Sequence, residues 1–187
     1  MPLQNRVRPN GEIVSVPERG TLMGNRGGRI HGSDKRLGKR RWASRAWIAC
    51  VLDFKARHRT VMAPNSYTEL FFLDEATALA AGHRPCYECR RRDARLFAAA
   101  WSKANGLTTP PRAPDMDRIL HADRLDEAGA KRTFRAQVGQ LPNGVMVAIE
   151  GIPFLLIDQG FCKWTFSGYA PATPLPSHDF EVDTSTS

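Results

Sequence analysis

The sequence predicts an α+β fold: helices in the middle of the chain and a β-rich appendage towards its C-terminal end. Two observations carry this. Apolar, β-branched and aromatic runs of strand length come first, and Ala-rich helical segments follow them as a block. Further strand-like runs then close the chain, so strands and helices are segregated instead of alternating as in a parallel α/β sheet.

Residues 1–20 hold Pro9, Gly11, Pro17 and Gly20 around Ile13 and Val14, which reads as a loop with one short strand. Residues 20–41 are rich in glycine and arginine and read as a loop, because glycines at 20, 24, 27 and 28 let the backbone bend. Trp47–Phe54 is a buried strand by its apolar run, Arg59–Met62 a second and Tyr67–Leu73 a third. Asp74 is a good N-cap for a short helix beginning at Glu75, and Gly82 ends it. A second helix runs from about Arg90 to Asn105 with Leu96, Phe97, Ala100, Trp101 and Ala104 as its apolar stripe. The prolines within 108–114 make a rigid linker, and Asp115–Leu125 reads as a third helix. Strands at Val145–Ile149 and Phe154–Ile157 follow, joined by a turn at Glu150–Pro153. The expected organisation is a basic unit over 1–107, a β-rich appendage over 108–170 packed on it, and an extended or disordered tail over 171–187.

Apolar residues make up 42% of the 187 and charged residues 25%, the balance of a globular chain with a core. No apolar run approaches the roughly 20 residues that cross a bilayer. The first eight residues lack the apolar stretch of a secretory signal, so the expected location is the cytoplasm, without a membrane partner. The net charge is +8 and unevenly spread. Residues 1–103 hold 20 Lys and Arg against 9 Asp and Glu, and residues 104–187 hold 7 against 10. A basic half beside a slightly acidic half suits a polyanion, and DNA is the expected partner.

The densest motif is 71–92, Phe-Phe-Leu-Asp-Glu-Ala-Thr-Ala-Leu-Ala-Ala-Gly-His-Arg-Pro-Cys-Tyr-Glu-Cys-Arg-Arg-Arg. It resembles the second half of the zinc-binding domain of Ada-type DNA alkylation-repair proteins. There a strand with paired aromatics leads through an Ala-rich helix to Arg-Pro-Cys-x-x-Cys. The resemblance implies DNA binding and a zinc role for Cys86 and Cys89. The family's earlier cysteine pair is missing, because only Cys50 lies upstream, so methyl transfer is not implied. Structural zinc takes four ligands. Cys50 and Cys162 are the remaining thiols that folding can bring to Cys86 and Cys89. The alternative is an Ada-like fold without its metal, with Cys86 and Cys89 as small buried residues; no other cofactor is expected.

The DNA-binding candidates are Arg26 and Arg29 beside the Gly24–Gly28 loop, the cluster Lys39, Arg40, Arg41 and Trp42, and Arg84, Arg90, Arg91 and Arg92 around the Cys-x-x-Cys turn. Arginines near a helix start can hold phosphate, and Trp42 can stack on a base. No Walker loop, nucleophile elbow or HExxH is present. Asp115, Asp117, His121 and Asp123 lie close enough in sequence for a metal-dependent nuclease.

Removing a base demands less: a flipped nucleotide, one carboxylate and a few polar partners. Glu69 is the leading candidate, because it interrupts an apolar strand where a carboxylate is costly without a task. By strand alternation it shares a face with Tyr67 and Phe71, either on a functional surface or on the solvent face of an edge strand. Asn25 is the candidate for orienting base or water, and Asp123 and His121 are alternatives to Glu69. As a whole, the short basic chain resembles small bacterial DNA glycosylases that excise modified bases, some acting against phages with modified cytosine. A non-catalytic, zinc-containing DNA-binding module is the rival expectation.

Overall fold

The structure, a computed structural model, describes residues 1–57, 60–158, 160–174 and 181–185. It is α+β, with two sheets and three short helices. In chain order the elements are β1 (Gln4–Val7), β2 (Ile13–Ser15), β3 (Leu22–Asn25), β4 (Ile48–Val51), β5 (Leu70–Phe72), α1 (Glu75–Ala80), β6 (Arg84–Pro85), α2 (Arg91–Ala104) and α3 (Ala113–Arg124). The C-terminal part adds β7 (Thr133–Gln137), β8 (Met146–Ile149), β9 (Ile152–Ile157), β10 (Gly160–Thr165), β11 (Gly168–Tyr169), β12 (Thr173–Pro174) and β13 (Glu181–Ser185).

The first sheet has the order β2-β1-β5-β3-β4-β6, with β1/β5 and β4/β6 parallel and the other pairs antiparallel. Residues of alternate parity on β3, β4 and β5 separate its two faces. Ala49, Leu70 and Phe72 turn inward with Val7, Ile13 and Ile30 to make a core closed by Ala78 and Ala81 of the α1 region. Met23, Asn25, Ile48, Cys50, Glu69 and Phe71 turn to the other face. Burying Leu70 and Phe72 contributes roughly 1.5–3 kcal/mol each.

β3 lies inside a stretch expected as loop. Gly24 is there for close approach, not for bending: a Cβ would meet the Ile48 carbonyl oxygen at 2.2 Å and the Phe72 ring at 2.8 Å. Of the strand expected at Arg59–Met62, the described residues Thr60–Met62 form none. Arg59 lies outside the described residues, and Val61 and Met62 stand in a turn. Of Tyr67–Leu73 only Leu70–Phe72 is strand, paired on both sides by β1 and β3, so β5 is central and not an edge.

Asp74 caps α1 as expected: its Oδ1 accepts from Thr77 N–H at 2.8 Å. The helix is narrow because it is rich in alanine, and that lets it serve both sheets. Ala78 packs on the first sheet, while Ala80 meets Met146 and Trp164 of the second. Trp164 donates Nε1–H to Thr77 Oγ1 at 2.9 Å, and the Tyr169 hydroxyl donates to Asp74 Oδ2 at 2.7 Å.

α2 is rotated relative to the expected stripe. It buries the small residues Ala94, Ala98 and Ser102, with Phe97 and Trp101 beside them, and leaves Leu96 61% exposed. Small side chains four residues apart let α3 pack closely through Met116 and Leu120. The helix expected over 115–125 therefore packs against α2 of the basic unit.

The second sheet has the order β11-β10-β9-β8-β13-β7, all antiparallel, with β12 on β10. Val147, Leu156, Phe161 and Val182 form its core with Val138. The segment read as a tail from 171 onward supplies β12 and β13, and β13 lies between β7 and β8. Val182 is buried there, which anchors the strand. Residues 175–180, 186 and 187 of that segment lie outside the described residues. Among the described residues no helix is long and apolar enough to cross a membrane.

Candidate functional site

The outward face of β3, β4 and β5 is covered by residues 52–57 and 60–67 and by the Cys-x-x-Cys turn. They enclose a cavity of ≈ 360 Å³. The apolar part of its lining is Met23, Ile48, Val51 and Phe71 from the sheet and Phe54 and Val61 from the covering residues. Into this lining project Asn25, Glu69 and Tyr67, which sequence reasoning put forward, together with Cys50, Cys86 and Cys89.

Glu69 is 2% exposed. Its Oε2 accepts the Met62 amide at 2.7 Å and its Oε1 accepts the Ser66 hydroxyl at 3.1 Å. Among the described residues no cation lies within ion-pair distance of it. Met62 holds φ +54, a backbone conformation costly for a bulky side chain, and its amide hydrogen bonds to the carboxylate from there. A buried acid oriented by neutral donors in an apolar cavity is an arrangement common at functional sites. Asn25 is anchored by accepting the Gly27 amide on its Oδ1 at 2.9 Å. At the rim, Arg57 pairs with Glu88 at 2.8 Å. Nothing in the sequence marked Met62; the Ser66-x-x-Glu69 spacing is the one readable trace of Glu69's holders.

One wall of the cavity is a candidate metal centre. The sulfurs of Cys50, Cys86 and Cys89 all lie within 4.8 Å of one another. Zinc–thiolate bonds of about 2.3 Å in a tetrahedron set sulfurs about 3.8 Å apart, so the cluster fits a soft tetrahedral ion. Cys86 is the thiol readied for deprotonation: a hydrogen bond from Cys50 is the main cause, and its pKa is lowered to about 5. The Glu88 amide also points to its sulfur at 3.4 Å. The pKa of Cys50 is raised, chiefly by that same bond to Cys86 and then by burial, and burial raises that of Cys89. This three-cysteine cluster is compatible with a zinc-binding domain. Cys162, the other thiol considered, lies on β10 of the second sheet and is not in the cluster.

The arginines expected on phosphate divide sharply. Arg26 is 3% exposed and fully used: it donates to Gly11 O at 2.7 Å, to Arg41 O at 3.3 Å and to His83 Nε2 at 3.2 Å, with its guanidinium 4.0 Å from the Trp47 ring. Burial lowers its pKa to about 9. Arg84 is buried in a two-pronged ion pair with Asp117, 2.7 Å at each contact. Arg90 is held by Glu75 and Asp93. All three are held by partners within the protein. Arg91 and Arg92 face solvent, as do Lys39, Arg40 and Arg41; Trp42 is half-buried. Arg29 is exposed and donates to the Pro64 carbonyl.

His121 and Asp123 do not line the Glu69 cavity. The His121 ring packs edge-on against Trp42 and Trp47, with centroids 5.6 and 5.9 Å away, and burial lowers its pKa. Asp115 and Asp123 are exposed and Asp117 is committed to Arg84, so the acids at 115–123 form no ligand cluster among the described residues. Comparison of the chain with protein-family models, with curated proteins and with solved structures gives no match.

Proposed function

We propose that the chain is a DNA glycosylase that takes a modified or damaged base out of the duplex and hydrolyses its N-glycosidic bond in the Glu69 cavity. The observation that carries this reading is the meeting of Glu69, Asn25 and Tyr67 in one apolar cavity within a strongly basic chain. A base entering there would lie against Phe71, Ile48 and Met23. Asn25 would hydrogen-bond its edge, and Glu69 would orient a water and stabilise positive charge building on the sugar. The water oxygen bonds to C1′ as the C1′–N bond breaks. Its electron pair leaves with the base, which takes up a proton, and an abasic sugar remains in the strand. Modified cytosines, phage-derived ones included, belong to the substrate class. In this reading the cysteine cluster, holding zinc, fixes β4 to the start of α2 and keeps the cavity wall in place.

The test is incubation with DNAs carrying ordinary and modified bases, glucosylated hydroxymethylcytosine among them. Released bases are identified by mass spectrometry and abasic sites by alkali cleavage. Release of one free base supports the reading, and release of none from any substrate removes it.

The cysteine cluster favours a second reading, an Ada-type zinc-containing DNA-binding module without chemistry. It predicts stoichiometric zinc and tight, salt-sensitive DNA binding with no base released.

A further inference from the structure

We infer that the chain grips the sugar–phosphate backbone in a second site, a basic pocket distinct from the Glu69 cavity. The inference rests on the nucleic-acid part of the reading above and not on its chemistry. The pocket, open to solvent, spans ≈ 490 Å³ between Lys39, Arg40, Arg41 and Trp42 on one side and Ala128 and Gly129 on the other. None of these residues lines the Glu69 cavity.

The three cations stand on a fixed backbone. Gly38 N–H donates to Ile30 O at 3.0 Å, and the amides of Ala43 and Ser44 both reach Arg26 O, at 2.8 and 3.1 Å. The buried Arg26 side chain holds the Arg41 carbonyl, and Arg41 donates to Gly38 O at 2.6 Å. A loop already ordered loses little freedom when it binds. The facing wall is small and uncharged. Gly129, at φ +79, brings the 126–130 turn flush against the Trp42 indole, where a Cβ would stand 3.2 Å from the ring.

Behind the loop lies a second layer of positive charge. Trp42 packs on Trp47, and the guanidiniums of Arg26 and Arg124 stand 4.0 and 4.7 Å from the Trp47 ring. Arg124 is 2% exposed, and its Nη1 has no hydrogen-bond partner among the described residues. Asp117, which pairs with Arg84, and Asp123 also act on Arg124 and offset part of its charge. Charge held away from water is weakly screened, so it adds to the field of Lys39, Arg40 and Arg41 in the pocket. Three exposed cations beside an indole match a phosphodiester with its base stacked alongside, which favours a nucleic-acid strand over an acidic peptide.

The experiment measures binding of a labelled oligonucleotide to the full chain by fluorescence anisotropy across a salt series. Lys39→Gln with Arg40→Gln, both at exposed positions, is expected to weaken binding about tenfold at moderate salt. It should also flatten the log–log salt slope by about 2. Lys39→Glu with Arg40→Glu should exaggerate both changes, and Lys163→Gln, at an exposed position on β10 of the second sheet, should change neither. A glutamine pair that melts as wild type does and keeps wild-type affinity and slope overturns the site. So does a polyglutamate that competes as well as the oligonucleotide. If the slope falls as stated while no substrate loses a base, the pocket stands and the glycosylase reading alone fails.

Discussion

Where β3 ends and β4 begins, adjacent residues carry opposite chemistry. Asn25 and Ile48 face an apolar cavity with one buried carboxylate; Arg26 and Trp47, their sequence neighbours, face a stack of cations and aromatic rings. In the cavity, Glu69 is buried, and among the described residues its hydrogen bonds come from the Met62 amide and the Ser66 hydroxyl. On the other side burial concentrates positive charge and neutralises the histidines: the His83 pKa is pushed well below its usual value by burial and by Arg26 and Arg124. A chain with these two sides can separate chemistry from grip, and substitutions can test whether it does.

The largest expected effect belongs to Glu69. Glu69→Gln should lower the rate of base release by about 10²–10⁴-fold and leave DNA affinity unchanged, measured as single-turnover rate and as anisotropy. Loss of affinity in parallel with rate would merge the two sides into one site. Next comes Arg84. Removing one partner of its buried pair with Asp117 should cost about 3–5 kcal/mol in urea unfolding, whereas Arg91→Ala and Arg92→Ala at exposed positions should stay within about 0.5 kcal/mol. A stable Arg84→Ala variant with weakened DNA binding would return Arg84 to the interface.

With zinc in the cysteine cluster, as proposed, Cys86→Ser should take zinc content from stoichiometric to trace in elemental analysis and lower the melting temperature, while Cys162→Ser leaves zinc in place. The smallest effect concerns Lys131, whose pKa is lowered to about 8 by burial and by Arg124 and Arg26. Between about pH 8 and the ordinary lysine value of 10.5 the unfolded chain binds more protons than the folded one, so this group adds stability as pH rises through that window. Below pH 8 both states are protonated and the cost of the buried charge is at its full value. Lys131→Met should remove the rise in a denaturation series across pH, and a wild-type curve flat over that window would show the charge to be solvated.

What could be read in advance was local. Asp74 announced α1 through its cap, Cys86 and Cys89 announced their turn, and Glu69 stood out as a charge inside an apolar run. The central place of β5 was not readable, because it depends on β1 and β3, which lie far off in sequence. Arg26 and Arg84 were expected to contact DNA, and their burial was not readable; only the fold supplies the Trp47 ring and the Asp117 carboxylate that make it tolerable. Cys50 was named as a ligand candidate, but its selection over Cys162 came from β4 running beside β6.

β13 carries a consequence for biogenesis. It is hydrogen-bonded by β7 on one side and β8 on the other. On the ribosome, β7 and β8 emerge well before the strand that must lie between them. Until residues 181–185 arrive, both present unpaired backbone to other nascent chains. The first sheet, whose strands are all made by residue 85, can close during synthesis. The second becomes whole only afterwards, which makes it the part of the molecule most in need of a chaperone.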